Sequence, residues 1–206
     1  MWDLIDLLIK NFYIFVLAVT LALIEIEIEG PDGWAANLPT WRPHKDKWYT
    51  RLFASLFSNK ELTGYHLTVF IFVFLIFHLP FVFGIDLNWD TWLRTMFYYM
   101  NFIILWDFLW FVLNPAFTIK RFNSKNVTWH KKWFWIMPVD YYDNIIMSVV
   151  FVGTLSLINK SYEPLLWGLV NLAIFAVLLV LSILVTLTIL QTPKWKAEPP
   201  AKFKKL

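Results

Sequence analysis

The sequence predicts an all-α integral membrane protein, a bundle of five transmembrane helices. Three observations support this prediction: the composition, the apolar segments and the distribution of basic residues. Hydrophobic residues make up 59% of the 206 residues and charged residues 16%, whereas an ordinary soluble domain is about 25% charged. A soluble chain of this size cannot cover so much apolar surface on folding. The composition therefore excludes a typical soluble enzyme and a disordered protein, and the absence of cysteine excludes a disulfide-built scaffold.

Five segments are long and apolar enough to cross a bilayer, which takes about 20 residues each. The predicted spans cover residues 4–25, 65–83, 92–113, 139–158 and 164–190. Asp3, just before the first span, and Asp6 within it stand where a signal peptide has basic residues, so we expect this span to be retained. We predict one transmembrane domain over residues 1–193, followed by a basic cytoplasmic tail over residues 194–206.

Basic residues alternate between the loops. The loop before the second span, the loop before the fourth span and the tail are each rich in Lys and Arg, whereas the loop before the third span has none. This positive-inside pattern predicts an N-terminus outside and a C-terminus inside. The expected location is the plasma (inner) membrane of a prokaryote.

Tryptophan residues support these boundaries, because the Trp ring favours the headgroup level of a membrane. Apolar residues at helical spacing over residues 48–57 also predict a short helix lying on the inner surface. The Trp residues at the predicted boundaries are Trp2, Trp89, Trp92 and Trp167 outside, and Trp34, Trp41, Trp48, Trp110, Trp129, Trp133, Trp135 and Trp195 inside.

Acidic and histidine side chains gather at the predicted inner face. Glu25 and Glu29 lie four residues apart and share a helix face, whereas Glu27 points away. An ionisable residue costs roughly 2.5–3.5 kcal/mol at the centre of a membrane helix, so a gathering of such residues predicts a site. The candidate metal ligands are Glu25, Glu29, His66, Asp107, His130, Asp140 and Asp143.

The first functional hypothesis is a membrane-embedded enzyme that acts on a lipid or isoprenoid-like substrate at the cytoplasmic face. Oxygen and nitrogen ligands suit iron, manganese, zinc or magnesium, so a divalent metal or a di-metal centre is one version. In the metal-free version, carboxylates and histidines act as acid and base. The candidate catalytic residues are Glu25, Asp107, His66 and His130. The candidate contacts to a phosphate or anionic headgroup are Arg42, Lys131 and Lys132.

The second hypothesis is a non-catalytic structural or accessory subunit of a membrane complex. In that case the acids pair with Arg42, Arg121 and the lysines, and the Trp residues are anchors. A small transporter is a weaker alternative, because transporters usually contain repeats and place polar groups at the midplane. The expected partners are membrane lipid and either another subunit or a second copy of the chain, and we expect no nucleic acid.

Overall fold

The computed structural model describes residues 3–190, and this part of the chain is a helical bundle. Five helices are long and apolar enough to cross a membrane, which confirms the all-helical class and five candidate spans. The side of the membrane to which each end belongs stays a prediction. Trp2, Trp195 and the predicted tail over residues 194–206 lie outside the described residues. The elements in chain order are α1 (Leu4–Glu29), α2 (Trp48–Leu56), α3 (Gly64–Val82), α4 (Trp89–Leu113), a 3₁₀ turn (Ile119–Arg121), β1 (Trp133–Phe134), β2 (Met137–Pro138), α5 (Val139–Ile158) and α6 (Glu163–Thr188).

The ends of the long helices follow from local capping chemistry. The Asn88 side chain accepts from the backbone N–H of Thr91, whose side chain bonds back to the Asn88 backbone, so α4 begins three residues before the predicted span. The Thr63 side chain accepts from the backbone N–H of His66 and starts α3. Gly30, at φ +69°, ends α1 four residues beyond the predicted span.

Contacts between the helices define their relative directions. The Asn114 side chain, just after α4, donates to the Gly30 carbonyl just after α1 at 2.8 Å, so α1 and α4 end together. Arg94 near the start of α4 pairs with Glu163 at the start of α6 at 3.0 Å. The helices α1, α4 and α6 therefore run in one direction, and α3 and α5 run in the other. We call the end at which α1 and α4 end and α3 and α5 begin the acidic end.

Helix α4 lies at the centre of the bundle and packs against α1, α5, α6 and, more lightly, α3. It is the most deeply buried of the five long helices. Gly168 of α6 lies against Val152 of α5 so closely that an added Cβ would lie 2.7 Å from the Val152 Cγ2 atom. The small residue permits close helix packing there.

The two long loops cover the acidic end. The nine-residue helix α2 lies in the first of them, where the sequence predicted a short helix; its placement on a membrane surface stays a prediction. The second loop contains a short antiparallel hairpin, β1–β2, which the sequence did not predict. Aromatic residues of this second loop pack on the end of α4, where the Trp129 ring stacks on the Phe111 ring with centroids 5.9 Å apart. The loops are therefore built into the core and are not free connections.

Candidate functional site

A cavity of about 50 Å³ lies at the acidic end. On this measure about 10–15 Å³ holds one water molecule, so the cavity has room for a few waters or a small reacting group but not for a lipid chain. We call it the acid–histidine cavity. Its ionisable lining residues are Glu25, Glu29, Lys60, His66, Asp107 and Asp140.

One half of the cavity is formed by α1 and the first turn of α3. The Nε2 atom of His66 lies 3.7 Å from Glu25 Oε1 and 3.6 Å from Glu29 Oε1. One ligand atom from each of these three residues lies within 4.8 Å of the others. All three side chains are buried, and the i,i+4 spacing of the two glutamates brings them to the same face of α1, as the sequence predicted.

Loop residues fix the orientation of this half. The Trp34 ring stacks on the His66 ring, with centroids 3.7 Å apart and planes inclined by 15°. The Nδ1 atom of His66 lies 2.7 Å from Thr63 Oγ1, and Glu29 Oε1 accepts a short hydrogen bond from the Ala35 backbone N–H. These contacts hold His66 Nε2 toward the two carboxylates.

The other half is formed by α4, α5 and the second long loop. His130 Nε2 lies 3.2 Å from Asp107 Oδ2, and His130 Nδ1 lies 3.3 Å from Asp140 Oδ2. The Tyr141 hydroxyl donates a short hydrogen bond to the same Asp107 oxygen. The two ring nitrogens of His130 therefore face carboxylate oxygens of different helices, α4 and α5.

Lys60 joins the two halves. Its Nζ atom lies 3.0 Å from Asp140 Oδ2 and 4.6 Å from the centre of the Trp34 ring. Only 7% of the Lys60 side chain is exposed. In the described part of the chain, it is the one Lys or Arg that lines the cavity, so four carboxylates face a single lysine.

The two halves differ in their ability to hold an ion. Glu25, Glu29 and His66 each offer one ligand atom to a common point. In the second half, the two aspartates approach opposite nitrogens of His130. An ion bound to one of these nitrogens is therefore close to only one of the aspartates, so the three side chains do not converge on one ion.

A second, open groove of about 400 Å³ lies on the other side of Gly33, Trp34 and Trp129, which line both spaces. Arg42 and Lys131, two of the predicted headgroup contacts, both line this groove. Arg42 also holds its own loop, because it pairs with Glu61 at 2.9 Å and donates to the Ala35 carbonyl. The two Trp rings therefore form the wall between the acid–histidine cavity and the groove.

The remaining predicted residues lie away from the cavity. Asp143 is exposed although Asp140 is largely buried; three helical positions turn through about 300°, so the edge of the buried face falls between them. Lys132 is exposed as well. The structure thus brings together six of the seven candidate ligands and leaves Asp143 outside.

Several residues of the site were missed in the sequence analysis. Lys60 could not be recognised as a site residue from the sequence, because the positive-inside pattern already accounts for a lysine in this loop. Thr63 was detectable in principle, since a Thr three residues before His66 is typical of a helix N-cap. Tyr141 was detectable only as a neighbour of Asp140.

Comparisons with protein-family models, with curated proteins and with solved structures found no match to this chain. The site itself must therefore carry the functional argument.

Proposed function

We propose that the chain is a membrane-embedded enzyme that performs acid–base chemistry on the polar end of a lipid or isoprenoid-like substrate. The observation that carries this proposal is the acid–histidine cavity: four carboxylates and His66 line one small space, and the buried His130 lies between two of those carboxylates. An idle carboxylate in such a place costs several kcal/mol of desolvation. Charged groups that are buried, paired and adjacent to a cavity are therefore favoured as functional groups over structural ones.

The roles follow from geometry. His130 Nε2 lies 3.2 Å from Asp107, close enough to exchange a proton, and Asp140 lies beside the far nitrogen of the ring, an arrangement suited to general acid–base catalysis. Glu25 and His66 form the opposite wall of the cavity, where they bind or polarise the reacting group. Asp107 lies six residues from the end of α4, or about 9 Å along the helix axis.

The substrate class follows from the surroundings. The five long helices present large apolar side chains outward, and the cavity walls include Phe57, Phe70 and Ile104 beside the charged groups. The cavity holds a reacting group while the rest of the molecule stays outside, which suits a lipid whose chains remain in the bilayer. Both loops at the acidic end are basic, which under the positive-inside rule supports a cytoplasmic location for this end.

The test is a comparison of total membrane lipids by mass spectrometry from cells that express the wild type, Asp107→Asn, His130→Ala or the control Asp143→Asn. We expect the wild type and Asp143→Asn to change the same lipid species relative to an empty vector. Asp107→Asn and His130→Ala should slow that change by about 100-fold or more. A wild-type profile equal to the empty vector would contradict the proposal. A change that persists equally in Asp107→Asn would favour a structural subunit.

A further inference from the structure

We infer that Glu25, Glu29 and His66 bind one divalent transition-metal ion, and that Asp107, His130 and Asp140 do not bind it. This inference deepens the proposed function and rests on it for the role of the ion, but not for its binding. It separates the acid–histidine cavity into a metal-binding half and a proton-transfer half. One nitrogen and two carboxylate oxygens suit Zn²⁺, Mn²⁺ or Fe²⁺.

The spacing of the three ligand atoms fits an ion and does not fit hydrogen bonds. His66 Nε2 lies 3.7 and 3.6 Å from the two glutamate oxygens, which is longer than a hydrogen bond. Ligand atoms at about 2.1 Å from a tetrahedral ion are about 3.4 Å apart. His66 Nε2 therefore lies almost at the separation that a shared ion requires from each glutamate oxygen, and the three residues each offer a ligand atom within 4.8 Å of the others.

The other nitrogen of His66 has the partner that a metal ligand needs. With Nε2 on the ion, Nδ1 carries the proton and donates to Thr63 Oγ1, 2.7 Å away. Such a partner fixes the tautomer and the ring orientation of a metal-binding histidine. Trp34 stacked on the ring holds its plane, and Ala35 holds the Glu29 carboxylate in the same way.

The charges assign the ion to this half. In the second half, Asp140 forms an ion pair with Lys60 at 3.0 Å, and His130 lies between Asp140 and Asp107. In the first half, neither Glu25 nor Glu29 forms an ion pair with a Lys or Arg within residues 3–190. Two carboxylates remain, and a divalent ion neutralises them.

Within residues 3–190, buried polar atoms without a hydrogen-bond partner occur in both halves, at the Trp106 and Trp110 indoles and at His130 and Asp140, so they indicate a polar ligand in the cavity without assigning the ion to one half. The Trp110 N–H is buried at the cavity wall without a hydrogen-bond partner among residues 3–190, and the Trp106 N–H lies near the Glu25 carboxylate without completing a well-formed hydrogen bond. Buried donors of this kind call for an acceptor in the cavity. A water or substrate oxygen in the open position of the metal is such an acceptor.

The experiment measures metal in the purified full-length chain, first by elemental analysis and then by titration with Co²⁺, whose visible absorption reports the ligand geometry. We expect about one ion per chain in the wild type and in Glu27→Gln, the exposed glutamate on the same helix. Glu25→Gln and Glu29→Gln should lower the affinity for Co²⁺ by at least about 100-fold. Asp107→Asn and His130→Ala should retain the ion, and all variants should elute as the wild type does in size-exclusion chromatography.

Thr63 provides a variant that keeps all three ligands. Thr63→Val should lower Co²⁺ affinity by about 10- to 100-fold, whereas Thr63→Ser, which keeps the hydroxyl, should restore it. A wild-type chain that binds no Co²⁺, Zn²⁺ or Mn²⁺ would overturn the inference, as would loss of the ion in Asp107→Asn but not in Glu25→Gln. Metal binding without any lipid change would refute the proposed function and leave the metal site standing, and a lipid change without metal would do the reverse.

Discussion

The Asn11 side-chain amide donates a hydrogen bond to Asn171 Oδ1 at 2.5 Å, although the two residues are 160 positions apart in the chain. Both side chains are fully buried. The Tyr98 hydroxyl donates to the same oxygen at 2.9 Å, so this contact joins α1, α4 and α6. It lies away from the acidic end and stabilises the bundle where the helices otherwise pack through apolar side chains.

A double-mutant cycle should detect this hydrogen bond. Asn11→Ala and Asn171→Ala should each lower the free energy of unfolding, and the two losses should not add, because either change already removes the shared bond. We expect a coupling energy of about 1 kcal/mol, typical of interhelical hydrogen bonds in membranes. The measurement is unfolding of the detergent-solubilised protein by SDS. Additive losses would show that the contact contributes nothing.

Close packing between α5 and α6 predicts opposite results at two glycines. Gly168→Ala places a Cβ 2.7 Å from Val152 Cγ2 and 3.3 Å from Phe97 Cε2, so it should lower the free energy of unfolding by about 1–3 kcal/mol. Gly153→Ala meets no atom within 4 Å and should raise stability by about 0.5–1 kcal/mol through helix propensity. The same SDS titration checks both. Equal effects would show that α5 and α6 pack more loosely than the structure indicates.

Removal of the buried lysine should lower the stability of the protein, because this lysine is the ion-pair partner of a buried aspartate. Lys60→Met leaves Asp140 buried without its ion-pair partner and should cost about 3–5 kcal/mol. The double variant Lys60→Met/Asp140→Asn removes both charges and should regain most of this loss. Lys131→Met, at an exposed lysine, should stay within about 0.5 kcal/mol of the wild type. Thermal unfolding of the four proteins in one detergent measures this, and failure of the double variant to recover would contradict the pairing.

Alanine substitutions at two glycines with positive φ distinguish the cost of backbone strain from the cost of a clash with Trp129. Gly30 and Gly33 have φ of +69° and +63°, so alanine is strained at both positions. A Cβ at Gly33 also lies 2.8 Å from Trp129 Cζ2, whereas one at Gly30 meets nothing within 4 Å. Because the aromatic core behind Trp129 resists a shift, Gly33→Ala should cost about 1 kcal/mol more than Gly30→Ala. Thermal unfolding measures both losses of stability. Equal losses in the two variants would show that the Trp129 side chain shifts to accommodate the added Cβ.

The sequence was sufficient to predict the helices and the gathering of acidic residues at one end of the bundle. It was not sufficient to predict the contacts that form the site. Hydropathy placed both boundaries of four of the five spans within three residues of the helix ends, because each span must supply its own apolar length. It ended the first span at residue 25, whereas α1 runs to Glu29. From the sequence alone, three glutamates at that point indicate that the helix has left the membrane. In the structure, Ala35 and Trp34 of the following loop cover Glu29, so this glutamate is buried.

The partners of the acids were hidden by distance along the chain. Lys60 and Asp140 are 80 positions apart, and the contact between Asn11 and Asn171 spans twice that number. No local pattern reports such pairs, since they arise only when the helices have packed. Helical periodicity identified Glu25 and Glu29 as a pair because their relation is local. It does not reveal where a neighbouring helix stops covering a face, so Asp143 was included among the candidate ligands together with Asp140.

Helix α3 carries His66 but packs only lightly, mainly against α4. Its attachment to the bundle at the acidic end therefore depends on the polar contacts of its first turn, above all those of His66 with α1. If an ion joins His66 to Glu25 and Glu29, the free energy of ion binding is also the free energy that docks α3. Occupancy of the site and the docking of α3 would then be a single equilibrium.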